Sequence, residues 1–393
     1  MKPTPDKDWL NFWWLEPEVT FLNHGAFGAC PKSVLEVQQQ FCQRLERQPL
    51  RFLAQDLEGL LDAAREVLAK FVGADPLDLT FVPNATTGVN TVLRSLHFIP
   101  DDELLTTNHE YNACRNALDF VAARSGTRIV VAEIPLPIQS LDQVIEAVVA
   151  KISPKTRLAL LDHVTSQTGL VMPIQQLVGE LNQRGIDTLI DGAHAPGSVP
   201  LNVSVIGATY YTGNCHKWLC APKGAAFLYV QRDRQAQIRP LTISHGANSP
   251  RRDRSRFRLE FDWPGTYDPS AYLSVPAAIQ FMGGLLPGGW PELMTQNRAK
   301  ALAAREILGE ALNVSPVCPD DMIAALAVVP LPDGSYQALQ TALLNQYAIE
   351  VPIVPWPGGQ KRLVRVAAQI YNTVPQYEYL AQALVELLAT EAG

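Results

Sequence analysis

The sequence lacks any paired-cysteine motif: its six cysteines are scattered and no two stand at C-x-x-C spacing. Free thiols in a reducing cytoplasm are the expected reading. The nearest approach to a metal cluster, Cys215, His216 and Cys220, has no second ligand pair, so no bound metal is expected. No apolar run approaches the length of a membrane span. The first eight residues are polar and contain proline, unlike a signal peptide. Basic charge is also scarce. With 32 basic against 39 acidic side chains the net charge is −7, which gives no diffuse attraction for polyphosphate, and nucleic acid is not an expected partner. The one basic run, Arg251, Arg252, Arg254, Arg256 and Arg258, is broken by Asp253 and reads as a solvated or interface loop.

What is present is a chain of ordinary globular composition, long enough for one large domain and a smaller one. Leu57, Leu60, Leu61, Ala64, Val67, Leu68 and Phe71 recur at helical spacing. Runs of strand length follow at Leu79 to Val82, Thr127 to Ala132, Leu158 to Val164, Thr188 to Asp191, Ala208 to Thr212 and Ala225 to Val230. Helical patterns separate several of them, at Gly88 to His97, Leu141 to Lys151 and Ile174 to Arg184. Near-continuous apolar strands alternating with helices predict an α/β fold with a mostly parallel sheet covered on both faces. After Pro264 long amphipathic helices (Ser270 to Met282, Pro291 to Leu312, Tyr336 to Gln346, Gln376 to Ala389) enclose short strands at Ala324 to Val329 and Leu363 to Ala367, an α+β pattern. Gly283 to Trp290 reads as a loop, and Trp9, Trp13 and Trp14 as a packing staple.

In an open parallel sheet, ligands gather at the carboxyl ends of the strands. Three segments there carry complementary chemistry. Pro83-Asn84-Ala85-Thr86-Thr87-Gly88 joins a strand to a helix, and its small residues and hydroxyls suit either an anion at a helix N-terminus or a plain N-cap. It is not a Walker motif, because no Gly-Lys-Ser/Thr follows. Asp191-Gly192-Ala193-His194 closes a buried strand, where an Asp is costly unless a cation meets it, a protonated pyridine nitrogen for instance, or unless it caps the next turn. His194 taken alone is as readily a satisfied core histidine. Finally, Lys217 stands among aromatic and small residues in Asn214-Cys215-His216-Lys217-Trp218, where desolvation would turn it into an amine nucleophile for an aldehyde.

Taken in order, Asn-Ala-Thr-Thr-Gly, Asp-Gly-Ala-His, His-Lys-Trp and Trp263-Pro264-Gly265-Thr266 resemble the class V aminotransferases, fold-type I pyridoxal-phosphate (PLP) enzymes that include the cysteine desulfurases. The resemblance runs from about Phe21 to Tyr371. Phe21-Leu22-Asn23-His24-Gly25 and Glu350-Val351-Pro352-Ile353 are most similar to the isopenicillin N epimerase branch. It implies a seven-stranded, mostly parallel sheet in a PLP-binding large domain (21–265), a smaller α+β domain (266–393), and an N-terminal arm (1–20) that belongs with the smaller one. It also implies roles. Lys217 would hold PLP covalently and then move protons, Asp191 would pair with the pyridine nitrogen, and His194 would lie near the phenolic oxygen. Ala85, Thr86, Thr87, Asn214 and His216 would hold the phosphate, with Thr266 reaching the neighbouring protomer's phosphate in a homodimer. Tyr111 would cover the ring, and Arg365, assisted by Asn23, would grip the substrate carboxylate.

One departure separates the chain from the desulfurases: the stretch from Pro319 to Arg365, where they carry a nucleophilic cysteine, has none, and Cys318 is too distant. The resemblance therefore implies work at the α-carbon of a small amino acid or aminoacyl substrate, epimerase-like first, cysteine or cystine C–S lyase second, aminotransferase third. A catalytically idle PLP-bound binding protein is the non-enzyme alternative, though it would need neither Lys217 nor Arg365. Tyr111 is either a stacking ring or the second acid–base group that an epimerase requires.

Overall fold

A computed structural model describes residues 7–391; the polar extreme N-terminus, residues 1–6, and residues 392–393 lie outside the described residues. Among the described residues twelve strands follow in chain order: β1 Thr20–Phe21, β2 Leu79–Val82, β3 Glu103–Thr107, β4 Arg128–Ala132, β5 Thr156–Asp162, β6 Asp187–Asp191, β7 Tyr210–Asn214, β8 Ala226–Val230, β9 Leu326–Leu331, β10 Ile349–Glu350, β11 Ile353–Pro355 and β12 Arg362–Ala367. Seven of them form one sheet in the order β2-β8-β7-β6-β5-β3-β4. Pairing is parallel from β7 through to β4, and β8 runs antiparallel to both its neighbours.

Successive side chains of a strand point to opposite faces, and here both faces are covered. Leu105, Leu161, Ile190 and Tyr211 join one core with Leu57, Leu61, Ala64 and Leu68 of the helix Leu57–Val72. Their neighbours Leu104, Leu160, Leu189 and Tyr210 face the other way, against Val89, Val92 and Leu93 of the helix Ala85–Ser95. The α/β class and the seven-stranded, mostly parallel sheet are therefore as expected. The expected α+β pattern after Pro264 is a three-stranded antiparallel sheet, β11-β12-β9, with the helices Gly289–Leu312 and Val374–Glu391. β1 pairs in parallel with β10, so the N-terminal segment is stitched to this C-terminal part.

Several local readings shift. β3 and the helix Asn112–Ser125 carry too many polar residues to stand out by pattern. The helix after β2 begins at Ala85 rather than Gly88, because the Asn84 side chain caps it, accepting from Thr87 N–H at 2.8 Å. The loop after Gly283 ends earlier than expected, at Gly288, where the 24-residue helix starts. Of the three N-terminal tryptophans Trp13 is buried against Tyr371, while Trp14 is 71% exposed. The arginine run is not a free loop. Arg251 pairs with Glu58 and Asp253, Arg254 grips Asp62 at 2.7 and 2.8 Å, and Arg258 is buried beside the same Asp62.

Gly88 decides how closely the helix Ala85–Ser95 rests on the sheet: a Cβ there would lie 2.2 Å from Thr212 Oγ1 and 2.8 Å from Thr212 Cβ. On helix propensity alone G88A gains up to about 1 kcal/mol, whereas overpacking against a buried strand costs about 1–3 kcal/mol. Overpacking should win, so chemical denaturation should show G88A less stable than the parent; a stabilised variant would reject this packing account.

Candidate active site

The carboxyl ends of β2, β3, β5, β6 and β7 open on one cavity of about 380 Å³. Its walls include Ala85 and Thr86 at the helix N-terminus, Tyr111 after β3, Asp162 and Ser166 at and after β5, Asp191 and His194 from β6, and Asn214, His216 and Lys217 from β7. This volume falls in the ordinary range of small-ligand sites. A roomier cleft of about 500 Å³ lies under Leu50, Leu53 and Trp263, and no lysine lines it.

Lys217 is partly buried, and desolvation lowers its pKa to about 8, with Arg365 adding to the effect and Asp191 opposing it. Its Nζ lies 2.9 Å from His194 Nε2. The Trp218 indole N–H can only donate, and it meets His194 Nδ1 at 3.4 Å. A neutral His194 therefore carries its proton on Nε2, facing an amine that accepts it. Burial first, and then the charges of Lys217 and Arg365, hold His194 well below the usual histidine range, which keeps the ring neutral.

The turn that carries Lys217 is gripped from outside. His24 Nε2 lies 3.1 Å from the Lys217 carbonyl oxygen, and His24 Nδ1 lies 2.7 Å from the Tyr371 hydroxyl. Gly28, at φ +70°, passes so close that a Cβ would stand 2.1 Å from the His216 carbonyl oxygen. Only glycine tolerates both that conformation and that approach.

Asp191 is 2% exposed, and both its oxygens meet uncharged donors: Ala193 N–H reaches Oδ1 at 2.8 Å and the Cys114 thiol reaches Oδ2 at 3.1 Å. At the other side of the cavity Asn214 Oδ1 accepts from Ala85 N–H at 2.8 Å, and His216 Nδ1 is 2.9 Å from the Ala225 carbonyl. A carbonyl only accepts, so His216 carries its proton on Nδ1. Burial lowers its pKa to about 4, which keeps the ring neutral. Thr87 does not line the cavity; its amide and hydroxyl both turn to Asn84.

Arg365, on β12, is buried just behind the wall and donates to the carbonyl of Ser166, leaving Nε without a partner. Burial lowers its pKa to about 10, and its charge is felt by Lys217 and His194. Tyr111 lies at the cavity rim, 41% exposed. Asn23 is not brought in: its amide donates to Glu350 Oε1 at 3.2 Å. Thr266 is exposed and away from this cavity. Sequence reasoning did not single out Asp162, Ser166, Glu110 or Cys114. Asp162 closes strand β5 as Asp191 closes β6, with Ser166 just beyond, and that strand-end position was the available signal.

The donor set fits PLP: a buried carboxyl group with no cation bonded to it, a desolvated amine, and a helix N-terminus beside a histidine. Residues 20–349 match the family Aminotransferase class-V. The chain belongs to that family. It is 38% identical over 390 residues to isopenicillin N epimerase of Amycolatopsis lactamdurans, covering 95% of this chain and 96% of the relative. A probable chloroplastic L-cysteine desulfhydrase of Arabidopsis thaliana is 30% identical over 401 residues, covering 94% of this chain and 83% of the relative. The fold is shared with the cystine C–S lyase C-DES, solved with glycine covalently linked to its PLP cofactor, at TM-score 0.78 and 23% identity, over 94% of this chain and 96% of that one. The fold is thus that of the fold-type I PLP enzymes, and the family is PLP-dependent.

A lowered Lys217 pKa has a sign that can be checked. Below about 8 the amine is protonated and inert towards an aldehyde, and above it the amine is free. The rate at which cofactor-free protein captures PLP covalently should therefore rise through a midpoint near 8, followed by visible absorbance. A midpoint close to the ordinary lysine value of about 10.4 would contradict the burial argument.

Proposed function

We propose that the chain is a PLP enzyme acting at the α-carbon of a small amino acid or aminoacyl substrate, with epimerisation as its reaction. The observation that carries this reading is the Lys217 amine held 2.9 Å from a neutral His194 in a cavity that also contains Asp191 and Tyr111. When bound, PLP supplies a conjugated sink for the electrons released as the α-proton leaves.

The chain's own residues do the remaining work. Lys217 would anchor the cofactor through its amine and, with that amine free, would take the α-proton of the substrate. Asp191 would pair with a protonated pyridine nitrogen, and neutral His194 would orient the phenolic oxygen. Ala85, Thr86, Asn214 and His216 hold the phosphate at the helix N-terminus, with Thr87 supporting that turn through Asn84. Arg365 takes the substrate carboxylate as a fork, without the help of Asn23, whose amide is held by Glu350. Tyr111 returns a proton on the face opposite Lys217, which inverts the centre. Thr266, exposed on its own protomer, reaches the phosphate of a partner in a homodimer. Six free thiols suit a reducing cytoplasm.

A second reading, C–S lysis of cysteine or cystine, is supported by the 30% identity to the desulfhydrase. It proceeds without a persulfide thiol. Cys318 is buried, and burial pushes its pKa to about 11, so it supplies none.

Incubation with amino acids and aminoacyl substrates in deuterated water separates these outcomes. Epimerisation places deuterium at Cα with loss of optical purity and needs no keto acid. Pyruvate with ammonia identifies lysis instead, and a keto-acid requirement identifies transamination. If Tyr111 is the second acid–base group, Y111F should slow inversion by about 10²–10⁴-fold while deuterium still enters with retention from the Lys217 side. An unchanged inversion rate would reduce Tyr111 to a stacking ring.

A further inference from the structure

Beneath Asp191 lies a dense group of buried ionisable side chains that the reaction does not use directly. Cys114, in the first turn of the helix Asn112–Ser125, donates to Asp191 Oδ2 at 3.1 Å. Glu110, just ahead of that helix, is 6% exposed. Its Oε2 accepts from Thr106 Oγ1 at 2.9 Å, and its Oε1 has no hydrogen-bond partner. One ligand atom each from Glu110, Cys114 and Asp191 lies within 4.8 Å of the others. Asp162 stands beside Asp191 in the β5–β6 register, is also buried, and has an Oδ2 without a partner. The charged and titratable groups that face this cluster are the Lys217 amine, Arg115 on the same helix as Cys114, and the Tyr211 phenol.

Three carboxyl groups in one dry pocket cannot all ionise, because each charge loses its hydration and repels the next. The hydrogen bonds distinguish them. Asp191 has a donor on each oxygen, whereas Glu110 and Asp162 each keep one oxygen bare, which is where a proton is least costly to hold.

We propose that Glu110 and Asp162 are neutral carboxylic acids and Cys114 a thiol donor, a set of positioning residues that leaves Asp191 the single anion beneath the cofactor ring and fixes its orientation. Burial and mutual repulsion push both carboxyl groups up, and burial pushes the Cys114 thiol up as well, all in the direction this arrangement requires. The inference rests on the reading of Asp191 as partner of the pyridine nitrogen. In it, Asp191 controls ring protonation because its neighbours stay uncharged. A hydrogen-bonded thiol also stops the carboxylate from rotating away.

Infrared difference spectra of the parent against E110Q, recorded with and without PLP, read Glu110 directly. Loss of a carboxylic-acid C=O band is expected; loss of a carboxylate band would overturn the assignment. D162N gives the same reading at the second carboxyl and serves if E110Q does not fold. For Cys114, C114A holoenzyme should release PLP about tenfold faster, the scale of one hydrogen bond to a charged group, with a shifted visible band. C114S should restore both, since a hydroxyl also donates. Equal release and equal spectra in parent, C114A and C114S would remove Cys114 from the set. Should the protein take up no PLP at Lys217, the functional reading fails, yet the infrared result on cofactor-free protein still decides the charge state.

Discussion

Everything in the site depends on keeping one amine dry. An exposed lysine is protonated and chemically idle at neutral pH, and desolvation, with Arg365 adding to it, brings Lys217 to about 8. Desolvation needs walls, and they come from the ends of five strands that the parallel sheet aligns on one edge. It also needs a rigid turn, because a lysine free to swing would find water. The contacts of His24 and Gly28 on the backbone at positions 216 and 217 supply that rigidity from a segment nearly two hundred residues earlier. The strand-end geometry and the depressed amine are therefore one feature seen at two scales.

Much of this was legible because chemistry-bearing residues in this architecture sit just past apolar strands. Position past a strand marked the segments that carry Asp191, His194, Asn214 and Lys217, the family resemblance supplied their roles, and the sheet's class followed from runs such as Leu158 to Val164. β3 was not legible. Its Glu103 is 2% exposed yet bonded to Ser153, Thr156 and Arg128, so a buried strand begins with a residue that reads as surface. The same blindness hid the cluster below Asp191: Cys114 and Asp191 are 77 positions apart, and no local pattern announces a contact made only by folding. The arginine run misled for the complementary reason. Its partners Glu58 and Asp62 lie almost two hundred residues upstream, on a helix that appears self-sufficient as an amphipathic stripe.

The two ends of the chain meet at the site's outer wall. Thr20 pairs with Ile349 and Phe21 with Glu350, while Asn372 donates to the Phe21 carbonyl and His24 contacts Tyr371. Contacts at such separation form late, since loop-closure entropy is lost before they repay it. The large sheet can be complete while Arg365 and the turn around Lys217 still lack their outer supports. A site assembled from both termini is thereby coupled to the whole fold, and cofactor bound there adds its affinity to the stability of that final arrangement.

Burial also selects which ligands the cavity accepts. The desolvation that lowers Lys217 to about 8 brings His216 to about 4 and Arg365 to about 10, so each basic group around the cavity is held short of its usual proton affinity. A phosphate beside His216 and a carboxylate beside Arg365 would reverse that cost, because an anion in the same dry space favours the charged form of each. Anionic ligands therefore gain twice, from their own hydrogen bonds and from relieving strained bases. A neutral amine or alcohol of equal size forms hydrogen bonds but does not favour the charged form of either base. A preference for anionic ligands is thus set by how the walls treat positive charge before any ligand arrives.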